Sequence, residues 1–151
     1  MSMEKEALTH KIEDDLAARN RNWDKVTSHL AESVARTIRS SRNKSLTGVQ
    51  KIDLPFKAKS LIVTSTSNGT LEYSIGFWAE NDLQHCLYMH GGVQYRVRND
   101  SIIYLNDGTN ASAGVIQNVD ETGFEINWSI TAGNPTGTAQ VYILASTHEG
   151  V

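Results

Sequence analysis

The chain has 151 residues, 39% of them hydrophobic, and a formal net charge of −3, which is room for one domain plus a long appendage and not for two full domains. No run approaches the roughly 18 apolar residues of a membrane span, and no basic start followed by an apolar run marks a secretory signal. A single cysteine, Cys86, excludes an internal disulfide framework and a Cys-rich zinc site.

Residues 1–50 read as a helix and a connection. From Met3 to Ser41 there is neither Gly nor Pro, and helix formers dominate. Leu8, Ile12, Leu16, Trp23, Val26, Leu30, Val34 and Ile38 recur at helical spacing, with Leu16, Trp23 and Leu30 at heptad position a and Ile12 and Val26 at d. The spacing predicts a helix over residues 1–44, whose continuous part of about 35 residues would be roughly 50 Å long. A small β domain cannot cover so long a stripe. The expectation is a coiled-coil-like stalk in which Ile12, Leu16, Trp23, Val26, Leu30 and Val34 pack against other copies of the chain. Arg36, Arg39, Arg42, Lys44 and Lys51 form a basic run that reads as a solvated helix end, where cations are favoured. Residues 45–50 read as a linker, with Gly48 reversing the chain.

Residues 51–151 change to period two. Strands are predicted at Lys51–Phe56, Ser60–Thr66, Thr70–Trp78, Leu83–His90, Val93–Arg98, Ile102–Asn106, Ala113–Val119, Phe124–Thr131 and Ala139–Thr147, separated by Asn-Gly, Asp-Gly, Gly-Gly and related turn signals. So many short strands at near-regular spacing imply an antiparallel β-sandwich or jelly-roll head. The alternation places Phe124, Ile126, Trp128 and Ile130 on an apolar face. It does the same for Leu71, Tyr73, Ile75 and Phe77, and for Val93, Tyr95 and Val97. Two segments break the rule, Ile102–Leu105 and Val141–Leu144, both apolar on two faces. An antiparallel sheet has one wet face, so these strands imply a second covered surface: a subunit interface, or the helix folded back on the sheet.

This part is acidic, with ten Asp/Glu against five Lys/Arg in residues 51–151. That balance is a poor match for nucleic acid, whose binding relies on neutralising phosphates. Glycine-rich phosphate loops, nucleophile elbows, zinc-protease helices and EF-hand loops are absent from the sequence. His85, Cys86 and His90 alternate across a strand and do not converge on a metal. The carboxylate pairs Glu80/Asp82 and Asp120/Glu121 lie in turns, where acids serve local hydrogen bonding. No catalytic residue, metal ligand or cofactor is therefore expected. The alternation puts Trp78 on the polar face with Glu72, Ser74 and Gly76, where a large aromatic stacks on a sugar ring or fills a partner pocket. The turn residues Asn106, Asp107 and Asn110 offer hydrogen bonds to carbohydrate hydroxyls. Trp78, Asn106, Asp107 and Asn110 are the candidate ligand-binding residues.

Certain segments bear a family likeness. Asn22-Trp23-Asp24-Lys25-Val26-Thr27-Ser28-His29-Leu30-Ala31-Glu32 resembles a helix that leads into β structure in tail and fibre proteins of bacteriophages and prophages. Lys51 to Val63, followed by Ser74-Ile75-Gly76-Phe77, is similar to the opening of tail-associated β domains. Phe124-Glu125-Ile126-Asn127-Trp128, Gly133-Asn134-Pro135 and Tyr142-Ile143-Leu144-Ala145 look like their closing strands. The resemblance implies a non-enzymatic structural or receptor-binding protein of the virion, made in the bacterial cytoplasm and assembled as a homotrimer. Its partners would be other tail or baseplate proteins and bacterial cell-wall carbohydrate, without nucleic acid or membrane insertion. The rival readings are a monomeric carbohydrate-binding module and a small glycan hydrolase.

Overall fold

The computed structural model describes residues 13–22, 25, 35–68, 71–81 and 83–148. Two units are distinguished, Met1–Val34 and Ala35–Val151. In the first, residues 13–22 form helix α1, on which Leu16 is exposed. Ile12, Trp23, Val26, Leu30 and Val34 lie outside the described residues.

The second unit is mainly β. Its strands are β1 (Ala35–Asn43), β2 (Gly48–Asp53), β3 (Ser60–Ser67), β4 (Tyr73–Ala79), β5 (Leu83–His90), β6 (Gln94–Arg98), β7 (Ile103–Asn106), β8 (Ala111–Asp120), β9 (Gly123–Ala132) and β10 (Thr138–Ser146). They form one sheet in the order β1-β10-β3-β4-β5-β7-β8-β9-β2, with β6 attached to β5. All pairings are antiparallel except β5 with β7, which meet at the single parallel position His90–Asn106.

The sheet curls on itself, and its two edges show this. β1 and β2 stand at opposite ends of the strand order yet are joined by residues 44–47 alone. The turn between them is closed by Leu46 N–H donating to Asn43 O and by the Asn43 side chain accepting from Ser45 N–H. Gly48 leaves it at φ 93°, a conformation that disfavours any residue with a Cβ. Gln50 on β2 donates its amide N–H to Ser40 Oγ and Ser41 O on β1. Arg42 donates to Thr47 O at 2.8 Å. Side chains thus clip the two edges and occupy backbone groups that would otherwise be open to another strand.

The core lies inside the curl. Leu61 and Val63 of β3, Trp78 of β4, Ile103 and Leu105 of β7, Phe124, Ile126 and Trp128 of β9, and Val141 and Ile143 of β10 form one cluster. Gly76 on β4 packs directly against the backbone before β7: an added Cβ would stand 1.7 Å from the backbone oxygen of Ile102. Nothing larger than glycine fits there.

The structure corrects the predicted helix end and linker. Ala35–Asn43 is a strand paired over its full length with β10, from Ala35 opposite Ser146 to Asn43 opposite Thr138. Helix propensity loses because β10 would otherwise leave a row of backbone donors and acceptors without partners. Period two is also present locally: Ile38, Ser40 and Arg42 are half-buried, whereas Thr37, Arg39 and Ser41 face outward. Ile38 packs on the core and leaves the helical stripe to which its spacing assigned it. Gly48–Asp53 is strand as well, so residues 45–50 are half turn and half β2.

Candidate functional site

The four predicted ligand-binding residues do not form one site. Trp78 is in the core with 4% exposure, and its indole N–H has no hydrogen-bond partner. The predicted alternation along β4 is correct, but the assignment of faces is inverted. Ser74, Gly76 and Trp78 point inward, while Tyr73 and Ile75 are half-buried and Phe77 is exposed on the outside. The close approach at Gly76 is the physical reason. Only small side chains fit against Ile102, so the large apolar residues of this strand turn outward, and Trp78 fills the core beyond the constriction.

Asn106, Asp107 and Asn110 are brought together in the turn between β7 and β8, and their polar groups hold that turn. Asn106 Oδ1 accepts from Gly108 N–H. Asp107 Oδ1 accepts from the N–H groups of Thr109 and Asn110, and its second oxygen accepts from the Asn110 side-chain amide at 3.0 Å. The Asn110 bonds hold the Asp107 carboxyl below the usual range. Asn110 Oδ1 in turn accepts from Asn134 N–H at 2.8 Å, tying this turn to the β9–β10 connection. These atoms are engaged in bonds within the turn and between loops.

The acidic pairs are similarly engaged. Glu80 accepts a hydrogen bond from Lys57 Nζ at 2.7 Å, and Asp82 lies outside the described residues. Asp120 accepts from Thr122 N–H and Oγ1 across the β8–β9 turn, which holds its carboxyl low. Cys86 is fully buried, and burial pushes its thiol up to about 11. His85 faces outward and His90 packs edge-on to Tyr88, on opposite faces of β5 as predicted. Among the described residues, no group of three His, Cys, Asp or Glu is arranged to hold a metal ion.

The feature that stands out is the outer face of the half-sheet β10-β3-β4-β5. Cross-strand registers align it in rows. Leu144 lies opposite Ile62, Ile62 opposite Phe77, and Phe77 opposite His85. The next row runs Tyr142, Thr64, Ile75, Leu87, and continues onto β6 at Val97. Phe77 and His85 stack with ring centroids 5.4 Å apart. A shallow depression of about 570 Å³ opens beside them, lined also by Ile62, Trp78, Ala79 and Leu83. Arg39 lays its guanidinium over the Tyr142 ring at 5.0 Å, along the margin formed by β1.

This surface is the candidate site, and Trp78 contributes to it only as a buried part of the depression's lining. Sequence reading missed Phe77, Ile62, Leu83 and His85 because it assumed that the apolar face is the inner one. A signal was available: Ser74 and Gly76 are small at successive inward positions, which is the mark of a strand pressed against a neighbouring layer.

The two strands flagged as apolar on both faces separate here. Ile103, Tyr104 and Leu105 of β7, with Ile102 before it, are all buried within the chain. Their second face packs in a cluster with Cys86, Tyr88, Ala111 and Ala113. β10 differs: Val141 and Ile143 are fully buried, but Tyr142 and Leu144 are 38% and 43% exposed. No protein-family model matches the chain, and no curated protein is significantly similar to it.

Proposed function

We propose that this chain is a non-enzymatic structural and attachment protein of the phage tail or fibre type, acting as an oligomer, with a homotrimer as the expected form. In this reading the N-terminal segment is a stalk and the curled β unit is a head. The head engages other tail or baseplate components or a cell-wall glycan at the outside of the virion. The sequence likeness of residues 22–32, 51–63, 74–77, 124–128, 133–135 and 142–145 to such proteins supports it, as does the order of a helix followed by a β unit.

The observation that carries the reading is β10. It is buried on one face and presents Tyr142 and Leu144 on the other, in line with Ile62 and Phe77. A strand apolar on both sides at an open surface is suited to assembly. Display of several heads on one stalk makes weak single contacts effective, because the first contact raises the local concentration for the next.

The test is the absolute mass in solution, by light scattering on a size-exclusion column, together with co-sedimentation on purified bacterial cell wall. A mass near three times 16.7 kDa is expected. Trp23→Asp and Leu30→Asp are expected to lower it. A mass of 16.7 kDa at all concentrations would reject the oligomeric reading in favour of a monomeric binding module.

A further inference from the structure

We infer that the outer face of β10, β3, β4 and β5 is an interface between heads, and that its occupant is the β unit of a second copy of this chain. The inference deepens the oligomeric reading above and rests on it. It places subunit contact in the β unit itself, apart from the N-terminal stripe.

Three observations lead there. The first is charge. The four strands Ser60–Ser67, Tyr73–Ala79, Leu83–His90 and Thr138–Ser146 contain no Asp, Glu, Lys or Arg at all. A solvated antiparallel face ordinarily carries such residues, both for solubility and to discourage edge and face association. Their removal with enrichment in aromatic residues is the composition of an interface centre.

The second is area. Ile62, Phe77, Leu83, Leu87, Tyr142 and Leu144 are 38–68% exposed. With the half-buried residues between them they present roughly 600–800 Å², close to the share of each partner in a standard stable interface. Closing such a face removes apolar area worth about 25 cal/mol per Å² before the costs of association.

The third is the chemistry that the face lacks. A glycan partner needs several fixed polar groups for its hydroxyls. Here the polar groups central to the rows are Thr64 and His85, and the His85 ring is stacked on Phe77. An anionic membrane surface needs a basic face, and these strands contain no cation. The four strands bring no charge of their own to the face, and the one cation described at it, Arg39 of β1, lies at the margin over the Tyr142 ring, so the centre can meet a second copy without like charges to repel.

The experiment uses the full chain. Phe77→Cys and Leu144→Cys introduce thiols on the face, with Val93→Cys as the control in the β5–β6 turn, where Val93 is 83% exposed. The native Cys86 is buried and silent. Labelling by a bulky maleimide is expected to be at least about tenfold slower at 77 and 144 than at 93, as occlusion in a stable interface requires. Ile62→Glu/Phe77→Glu is expected to keep the far-ultraviolet β signal and cooperative melting while restoring fast labelling of a Leu144→Cys thiol. Equal labelling rates at the three sites in an oligomeric wild type would overturn the interface and leave the stalk reading standing. A wild type of single-chain mass would overturn both. Loss of cell-wall binding in Ile62→Glu/Phe77→Glu with fast thiol labelling throughout would assign the face to a glycan and overturn the proposal.

Discussion

Removing the Lys44 ammonium is expected to be among the most damaging single changes to the β unit. Lys44 follows β1 and Glu72 precedes β4, and their side chains form an ion pair with 2% and 1% exposure. The pair lies where three connections meet. Lys44 N–H donates to Gly137 O at 3.0 Å, Asn68 N–H donates to Thr138 O, and Ser67 N–H donates to Glu72 O. Taking both charges out of water is expensive, and mutual attraction with hydrogen bonding roughly offsets it. Lys44→Met leaves a carboxylate buried without its counter-ion, at a cost of about 3–5 kcal/mol. A domain of this size is stable by about 5–15 kcal/mol, and a loss of this size lowers its Tm by roughly 10–20 °C. Lys44→Met/Glu72→Leu removes both charges and is expected to regain most of the loss, ending within about 2 kcal/mol of wild type. Urea denaturation at fixed protein concentration, followed by the fluorescence of buried Trp78 and Trp128, measures both. A single variant within about 1 kcal/mol of wild type, or a double variant as weak as the single, would refute the reasoning.

Other substitutions separate core from surface. Trp78→Ala is expected to cost about 3–5 kcal/mol, since it empties a core position, whereas Phe77→Ala is expected to leave single-chain stability within about 1 kcal/mol; the reverse order in urea denaturation would restore Trp78 to the surface. Gly76→Ala places a methyl group against the Ile102 carbonyl and is expected to yield insoluble or non-cooperative protein, while Gly114→Ala, whose Cβ would meet side-chain atoms of Ile126 at 2.9 Å and Ile103 at 3.3 Å rather than backbone, is expected to fold with reduced stability. The carboxyls of Asp100, Asp107, Asp120 and Glu125 are all held low, by Arg98, Asn110, Thr122 and Gln117 respectively. Their folded values lie below the unfolded ones, so their contribution is present above the ordinary carboxylate range and lost as pH falls through the depressed values. Stability is therefore expected to decline below about pH 4. Asp107→Asn should make that decline shallower in a series of Tm measurements across pH, and an unchanged slope would show that its turn bonds add nothing.

Strand identity was legible where turn chemistry and period two agreed. Leu83–His90 is bounded by Asn81 and Gly91-Gly92, and it forms β5 over that same span. Phe124, Ile126 and Trp128 alternate cleanly and lie in the core, with Trp128 Nε1–H bonded to Gln50 at 2.9 Å. β1 was not legible because its strand state is imposed from a distance. Arg36, Ile38 and Arg42 suit a helix end equally well, and only β10, a hundred residues later in the chain, decides between the two. Sidedness failed for a related reason. Periodicity tells which residues share a face but not which face has a neighbour, and for β4 that was settled by Ile102.

The comparison of β7 with β10 extends this point to function. Both strands are apolar on two sides, and both raised the same suspicion of a hidden surface. For β7 the answer is within the chain: the curl of the sheet places it between β8 and the layer of β3 and β4, so its two faces enter two internal clusters. For β10 the curl supplies only one cover. Its neighbours β1 and β3 lie beside it in the same layer, and side-by-side pairing satisfies the backbone without covering the outer side chains. Leu144 and Tyr142 therefore remain outside together with Ile62, Phe77 and Leu87, in strands from which charge has been removed. An apolar pattern in a sequence states that a cover exists; the fold decides whether the chain provides it. Here the curl covers β7 on both sides and leaves Tyr142 and Leu144 of β10 exposed, and that exposed face is the physical basis of the assembly proposed above.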